Sequence, residues 1–210
     1  MNGFYALGTT AVVSSAAPLG TGIFTFRRLS ADMRLLVLLF LLTTLVEGIT
    51  FYQALTGVNS HWLHFIYTPI SYGLLVYVFS GWQANDKVKW GSLASIPIFL
   101  AICVWNIVIQ HRLDTINDFT QSLANVILVL FASYTFLWLL AEDLGSIYRD
   151  YRFWISAAVL IYSAGSLGYF VMHNIISSER IVVAWYFHIV LNILANLTYS
   201  VGLLCQYRRA

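Results

Sequence analysis

The sequence predicts an all-α integral membrane protein that folds as a bundle of seven transmembrane helices. Of its 210 residues, 60% are hydrophobic and only 10% are charged, and the mean hydropathy is +0.76. A soluble domain carries about 25% charged residues. Apolar stretches long enough to cross about 30 Å of hydrocarbon as helix can be marked at seven places. We expect helices at about 4-26, 35-56, 63-82, 91-110, 120-142, 153-176 and 182-206.

The first predicted helix and the cations together predict the orientation. No cation precedes this helix, and Arg27, Arg28 and Arg34 follow it. A signal peptide carries its positive charge before the apolar stretch, so we expect an uncleaved helix with the N-terminus outside. Nine of the eleven cations fall in the first, third and fifth connections and at the C-terminus. Because Lys and Arg are retained on the cytoplasmic side, the C-terminus is predicted to be cytoplasmic.

Five of the predicted helices carry one polar seam each at helical spacing. An unsatisfied amide or hydroxyl in lipid costs several kcal/mol, so we expect these seams to converge on a shared interior. The seams are Thr43, Glu47 and Thr50 in the second helix, His64, Thr68 and Ser71 in the third, Gln121, Asn125 and Thr135 in the fifth, Tyr162, Ser166, Tyr169 and His173 in the sixth, and Trp185, His188, Asn192, Asn196 and Tyr199 in the seventh. Most lie in the outer half of their helices, which predicts a pocket open to the outside and closed toward the cytoplasm.

The connections between the predicted helices are too short to fold independently. We therefore expect residues 1-210 to form a single membrane domain, surrounded by the lipid bilayer of a plasma membrane or a bacterial inner membrane. The net charge of +2 is explained by the cytoplasmic bias of the cations, so no nucleic-acid partner is expected. The sequence has no phosphate loop and no serine elbow, and no cofactor is predicted.

Glu47 is the strongest candidate for a functional residue. Of the nine acidic residues it alone lies deep inside an apolar stretch, and no Lys or Arg shares that depth. An ionisable group in hydrocarbon is costly and usually faces a bundle interior or a wet cavity, so function is the default hypothesis. The carboxyl group is predicted to be protonated, paired with an imidazole such as that of His188, or neutralised by a bound cation. Neighbouring Trp and Tyr rings would favour an organic cation.

The predicted site gathers polar residues from five helices. No catalytic residue and no metal-ligand set is predicted. For the Asn and Ser members a purely structural role is the alternative, because interhelical hydrogen bonds of this kind contribute on the order of 0.6 kcal/mol each. The predicted ligand-binding residues are Glu47, His64, Ser71, Ser166, Tyr169, His173, His188, Asn192 and Asn196.

Known seven-helix families differ from this chain at the residues that identify them. A microbial-type rhodopsin needs a lysine in the last helix, whereas both lysines here lie in a connection. Asn196-Leu-Thr-Tyr199 lacks the proline of the Asn-Pro-x-x-Tyr motif of animal receptors. Ceramidase-type zinc hydrolases carry His-x-x-x-His in the last helix, where this chain has His188-x-x-x-Asn192. Seven-helix sugar transporters have prolines that repeat between their halves, and the three prolines here do not repeat.

Three hypotheses about function follow. The first is a receptor-like or sensory protein: a pocket around Glu47 and His188 binds a small molecule, a cation or a proton, and a cytoplasmic partner protein reads the change in helix packing. The second is a small proton- or cation-coupled transporter. The third is an intramembrane metal-dependent hydrolase, with zinc held by Glu47 and histidines. The inner half of the helices offers few polar side chains for a transport path, which favours the first hypothesis.

Overall fold

The protein is an all-helical bundle in the part of the chain that the structure describes. A computed structural model describes the backbone of residues 2–110, 117–141, 147–175 and 181–209. Two 3-10 turns, Phe26–Arg28 and Ile147–Arg149, precede α2 and α6. The seven α-helices of these ranges are α1 Asn2–Thr25, α2 Ala31–Thr56, α3 His61–Gly81, α4 Asp86–Gln110, α5 Asp118–Ala141, α6 Tyr151–Ile175 and α7 Ile181–Arg209.

Six of these helices, α2 to α7, are long and apolar enough to cross a membrane, judged over the described residues. The predicted multi-pass helical membrane protein is therefore confirmed. The membrane span of α1 and the orientation of the termini stay predictions.

Every helix begins earlier than its apolar stretch. α4 starts at residue 86 where the hydropathy predicted 91, and α2 starts at residue 31 where it predicted 35. Capping side chains explain the difference for two helices. The backbone N–H of Arg152 donates to Asp150 Oδ1 at 2.8 Å, and that of Lys87 donates to Asn85 Oδ1 at 2.9 Å. A side-chain acceptor satisfies a backbone donor at the helix start, so the helix continues through polar sequence outside the hydrocarbon.

The helices form a closed ring of six with one helix outside it. α1, α2, α3, α5, α6 and α7 follow one another around the ring, and α7 closes it by packing against α1. α3 contacts α5 directly, and α4 packs outside the ring, mainly against α3. Both tryptophans of the outward-lying α4 are well exposed, Trp90 by 69% and Trp105 by 59%. The inside of the ring is therefore built by the other six helices, and α4 adds Phe99 and Cys103 to the apolar core from outside the ring.

One half of the bundle is packed with apolar side chains. We call the end where α1, α3, α5 and α7 begin the N-terminal end, and the opposite end the C-terminal end. In the C-terminal half, side chains from α2, α3, α6 and α7 meet with no solvent exposure. This apolar plug consists of Met33, Leu36, Val76, Phe79, Ile155 and Leu203, all 0% exposed.

Polar contacts join the helices on the C-terminal side of the plug. Trp82 Nε1 donates to Asp32 Oδ2 at 2.7 Å, which joins the end of α3 to the start of α2. Gln83 Nε2 donates to Thr135 Oγ1 at 3.1 Å, which joins the same turn to α5. Buried polar groups that are paired in this way cost little and fix the relative position of the helices. The C-terminal end is thus closed by packing and by hydrogen bonds.

The tight crossing of α6 and α7 gives a first testable prediction. A Cβ atom at Gly165 would lie 2.9 Å from both Cβ and Cδ1 of Leu191, closer than real Cβ contacts. Gly165→Ala is therefore expected to lower the free energy of unfolding by about 1–3 kcal/mol, through overpacking. The measurement is the thermal unfolding midpoint of the purified protein in detergent.

Gly168 supplies the matched control on the same helix. A Cβ there would meet nothing within 4 Å. Gly168→Ala is expected to leave the midpoint unchanged or to raise it slightly, because Ala is the better helix former by up to about 1 kcal/mol. Equal effects of the two substitutions would contradict the close approach of α6 and α7.

Candidate functional site

Two adjoining cavities lie in the N-terminal half of the bundle, one nearer the plug and the other nearer the N-terminal end. The inner one, which we call the chamber, has a volume of about 110 Å³ and is lined by α2, α3, α5, α6 and α7. The outer one, the vestibule, has a volume of about 530 Å³ and is lined by α1, α2 and α7 with His64 of α3. A single water molecule needs about 10–15 Å³ by this measure, so the chamber can hold several waters and the vestibule many more.

Of the described residues, three line both cavities: Glu47, His64 and Asn192. They come from α2, α3 and α7, and we call this group the junction. Leu39, Phe40 and Thr43 precede Glu47 along the chamber, whereas Thr50 and Ala54 follow it along the vestibule. The junction therefore separates a smaller space on the plug side from a wider space at the N-terminal end.

The Glu47 carboxyl group is incompletely hydrogen-bonded. Its Oε1 accepts a long hydrogen bond of 3.5 Å from Asn192 Nδ2. The Ser15 side chain lies beside the carboxyl group, but its hydroxyl donates to the Val12 carbonyl at 2.8 Å. Glu47 Oε2 is buried and has no hydrogen-bond partner. Because buried polar atoms are almost always paired, this oxygen is available to a ligand or to water.

A series of side-chain hydrogen bonds connects the junction to α1. Asn196 Nδ2 donates to Asn192 Oδ1 at 3.4 Å and to Ser14 Oγ at 3.0 Å. This series of hydrogen bonds runs from Glu47 through the two amides of α7 to a hydroxyl group of α1. It holds the Asn192 amide in place beside the carboxyl group, and it gives Asn196 a structural task as well as a position on the chamber wall.

Three tyrosines from three helices surround the inner side of the junction. Tyr67 of α3, Tyr162 of α6 and Tyr199 of α7 all line the chamber. Tyr67 and Tyr162 are close enough to Glu47 to interact with it electrostatically, and Tyr199 interacts in the same way with Tyr162. The Tyr67 hydroxyl is hydrogen-bonded to Thr43 Oγ1 at 2.8 Å. The chamber therefore combines one carboxyl group with three aromatic rings.

The chamber wall also contains unpaired polar atoms of both kinds. Besides Glu47 Oε2, these are His64 Nδ1, Asn125 Nδ2 and Ser163 Oγ, all buried and without a hydrogen-bond partner. Asn125 is 3% exposed and Ser163 is fully buried. The Asn125 amide is a donor, and the imidazole and hydroxyl groups can donate or accept. Together with the carboxyl oxygen, these groups can bind a polar molecule or a few waters.

The structure brings most of the predicted site residues together. Ser71 and Asn196 join the junction residues around the chamber, and His188 lines the vestibule. Ser166 and Tyr169 line neither cavity: Ser166 is buried near Tyr162, and the Tyr169 ring packs on His188 at a centroid distance of 5.6 Å. The side chain of His173 lies outside the described residues.

Sequence reasoning missed Tyr67 and the serines of α1. Tyr67 lies three residues after His64 and four before Ser71, so it shares the polar face of α3, and its spacing could have identified it. Ser14 and Ser15 stand in a run of small residues with no helical seam, which gave no such signal. They approach the junction because small side chains let α1 pack closely against α2 and α7.

No three His, Cys, Asp or Glu side chains within the described ranges come close enough together to hold a metal ion. Comparison of the chain with protein-family models, with curated proteins and with solved structures finds no match. The function is therefore inferred from the junction and its two cavities.

Proposed function

We propose that the chain is a receptor-like sensory membrane protein that binds a small molecule or cation in the pocket around Glu47 and His188. Residues 1–210 act as one seven-span domain with the N-terminus outside and the C-terminus in the cytoplasm. The observation that carries the proposal is the Glu47 carboxyl group, which has one buried unpaired oxygen and stands where a vestibule meets a smaller chamber.

The charge distribution supports this orientation. Arg27, Arg28, Lys87, Lys89 and Arg208 are exposed at the C-terminal end of the bundle. Short cationic connections are retained on the cytoplasmic side. In this orientation the vestibule is on the outer side of the membrane.

The apolar plug favours a receptor over a transporter. A transporter needs a polar path from its site to the cytoplasm in at least one state. Between the chamber and the C-terminal end stand side chains such as Leu36, Phe79 and Leu203, which are fully buried and apolar. Ser80 and Ser156 contribute buried hydroxyl groups in this half, whereas the outer half is lined with carboxyl, imidazole, amide and hydroxyl groups around a cavity.

A ligand in the chamber can act on the far end through the helices it touches. The chamber wall contains α2, α3, α5, α6 and α7, and each of these helices continues to the C-terminal end. A ligand that binds one packing arrangement better than another shifts the population toward it. A cytoplasmic partner protein that contacts the exposed C-terminal end would detect that shift.

Cysteine accessibility tests the outward-facing pocket. In a background with Cys103 and Cys205 replaced by alanine, Thr50→Cys in the vestibule is expected to react with a small, charged thiosulfonate in intact cells. The same variant is expected to stay unmodified in sealed inverted vesicles, because the plug blocks access from the cytoplasmic side. Leu36→Cys in the plug should react from neither side, and Lys87→Cys should react only in inverted vesicles.

The outcome also separates the receptor from the alternative transporter. Ser71→Cys on the chamber wall is expected to be protected from the cytoplasmic side under all conditions. Its modification in inverted vesicles would contradict the receptor-like proposal and favour alternating access. Modification of Thr50→Cys from the cytoplasmic side alone would overturn the orientation.

A further inference from the structure

The vestibule changes polarity along its length. The polar side chains Glu47, Asn192 and Thr50 lie at its inner end, and His188 lies one turn farther out on α7. Toward the rim the wall becomes apolar, with Phe51, Ala54 and Leu55 on α2, Trp185 and Ile189 on α7 and Val12 on α1. From Glu47 to Leu55 the wall extends about 12 Å along the helix. A purely polar ligand would leave most of this wall unused.

In the part of the chain that the structure describes, the rim of the vestibule is open. Leu55 is 58% exposed, and Ala54 beside it is also exposed. An apolar chain that lies along the wall can therefore extend past the rim without meeting a closed end. Burying such a chain removes apolar surface from water, which contributes roughly 25 cal/mol per Å².

The inner end of the vestibule lacks a protein cation other than histidine. No Lys or Arg occurs between Arg34 and Lys87, between Arg152 and Arg180, or between Arg180 and Arg208. These intervals contain all of α2 beyond its first turn, all of α3 and nearly all of α6 and α7. Among the described residues that line the vestibule, His64 and His188 are the only possible positive partners for Glu47, and the alternative is a ligand or a proton.

Aromatic rings line both of the cavities that meet at this carboxyl group. Tyr67, Tyr162 and Tyr199 line the chamber below it, and Trp185 lines the vestibule above it. Aromatic faces attract organic ammonium groups through the ring quadrupole, and more strongly where water is excluded. A carboxylate with several rings therefore suits an alkylated ammonium group better than a small metal ion.

We propose that the ligand is an amphiphile with an organic ammonium head and one apolar chain. This inference rests on the proposed binding function and names the ligand class for the same site. The head occupies the junction next to Glu47, and the chain lies along the apolar wall of the vestibule toward Leu55. The site selects for positive charge at one end and for chain length at the other.

Binding of a homologous series tests the inference. The probes are tetramethylammonium and alkyltrimethylammonium ions of increasing chain length, with alcohols and alkyl sulfates of matching chains. Binding to the protein in nanodiscs of zwitterionic lipid is followed by tryptophan fluorescence, with empty nanodiscs subtracted. We expect affinity, expressed against free aqueous probe, to rise by up to about fourfold per methylene until the vestibule is filled. The alcohols should bind more weakly than the ammonium ions, and the sulfates should not bind.

A variant of the vestibule tests the contribution of the ligand's apolar chain separately from that of its ammonium head. Ala54→Phe narrows the rim and is expected to lower the affinity for long-chain ions at least tenfold, with no change for tetramethylammonium. Ala101→Phe, at an exposed position of α4, is the matched control and should change neither. Both alanines are exposed, so both variants are expected to fold.

Two results would overturn the inference without touching the proposed function. If tetramethylammonium binds and longer chains add nothing, the vestibule does not hold a chain. If alcohols or sulfates bind as tightly as ammonium ions, the site does not select for a cation. Failure of the receptor proposal would appear instead as cytoplasmic modification of Ser71→Cys.

Discussion

Glu47→Gln is expected to lower the affinity of the pocket for ammonium ions by at least about thirtyfold while the protein still folds. Glutamine has nearly the same size, and its amide oxygen can still accept the bond from Asn192 Nδ2, which is long at 3.5 Å in the wild type. Unlike an ionised glutamate, the glutamine side chain carries no charge. Removing one partner of a desolvated charge pair costs about 2–5 kcal/mol, and 2 kcal/mol corresponds to about thirtyfold. Binding of tetramethylammonium to wild type and variant in nanodiscs measures the effect.

Asp32→Asn is the matched control for the loss of charge. Asp32 lies in the first turn of the same helix, at the C-terminal end of the bundle. Its carboxylate accepts a hydrogen bond from Trp82 Nε1 at 2.7 Å. The asparagine oxygen can accept the same bond, so neither folding nor binding should change. If Glu47→Gln also bound as tightly as wild type, the carboxyl group would be only a structural partner of Asn192, and the proposed function would lose its basis.

Phe79→Ala is expected to produce the largest loss of stability. The ring is 0% exposed and packs edge-on against Trp82 at a centroid distance of 5.2 Å. Large-to-small substitutions of buried aromatic residues cost about 3–5 kcal/mol, because contacts are lost and a cavity remains. Inside a membrane the lost packing contacts carry this cost, since lipid itself is apolar. The measurement is the free energy of unfolding in mixed micelles.

Phe187→Ala removes the same side chain from a lipid-facing position. Phe187 lies on α7 and is 54% exposed. Its removal should change the free energy of unfolding by less than about 0.5 kcal/mol, as is usual for exposed sites. Losses of equal size for the two phenylalanines would show that the plug is not tightly packed.

The positions of the helices were predictable from hydropathy, whereas their ends were not. Apolar stretches mark the hydrocarbon, but a helix continues until a capping residue or a turn ends it. At Asn85 and Asp150 the deciding interaction is one hydrogen bond to a backbone N–H two residues later. Such a bond depends on local geometry that a hydropathy average does not contain. The sequence therefore placed α4 five residues too late.

The polar seams predicted which helices line the chamber. The five helices with a seam are α2, α3, α5, α6 and α7, and these five form the chamber wall. Helical spacing suffices here because a buried polar stripe must face the interior. The spacing does not predict depth or neighbours. Thr135 belongs to the α5 seam, but it is hydrogen-bonded to Gln83 near the C-terminal end and lines neither cavity.

The order of the helices around the ring was beyond sequence reasoning. The absence of a polar seam did not identify the helix outside the ring, because α1 lacks one as well and lies within it. The hydrogen bond between Asn196 and Ser14 joins residues 182 positions apart, and it depends on α7 closing against α1. Closure of this kind follows from the packing of all six helices, so no local pattern encodes it. The same holds for the vestibule, which exists only where α1, α2 and α7 meet.

The apolar plug has a consequence for what the proposed receptor senses. In that receptor, a molecule that reaches the junction leaves through the opening by which it entered, so binding and release involve one compartment. Occupancy then follows the ligand concentration on one face of the membrane, however steep the gradient across it. A one-sided sensor of this kind needs no energy source and transports nothing.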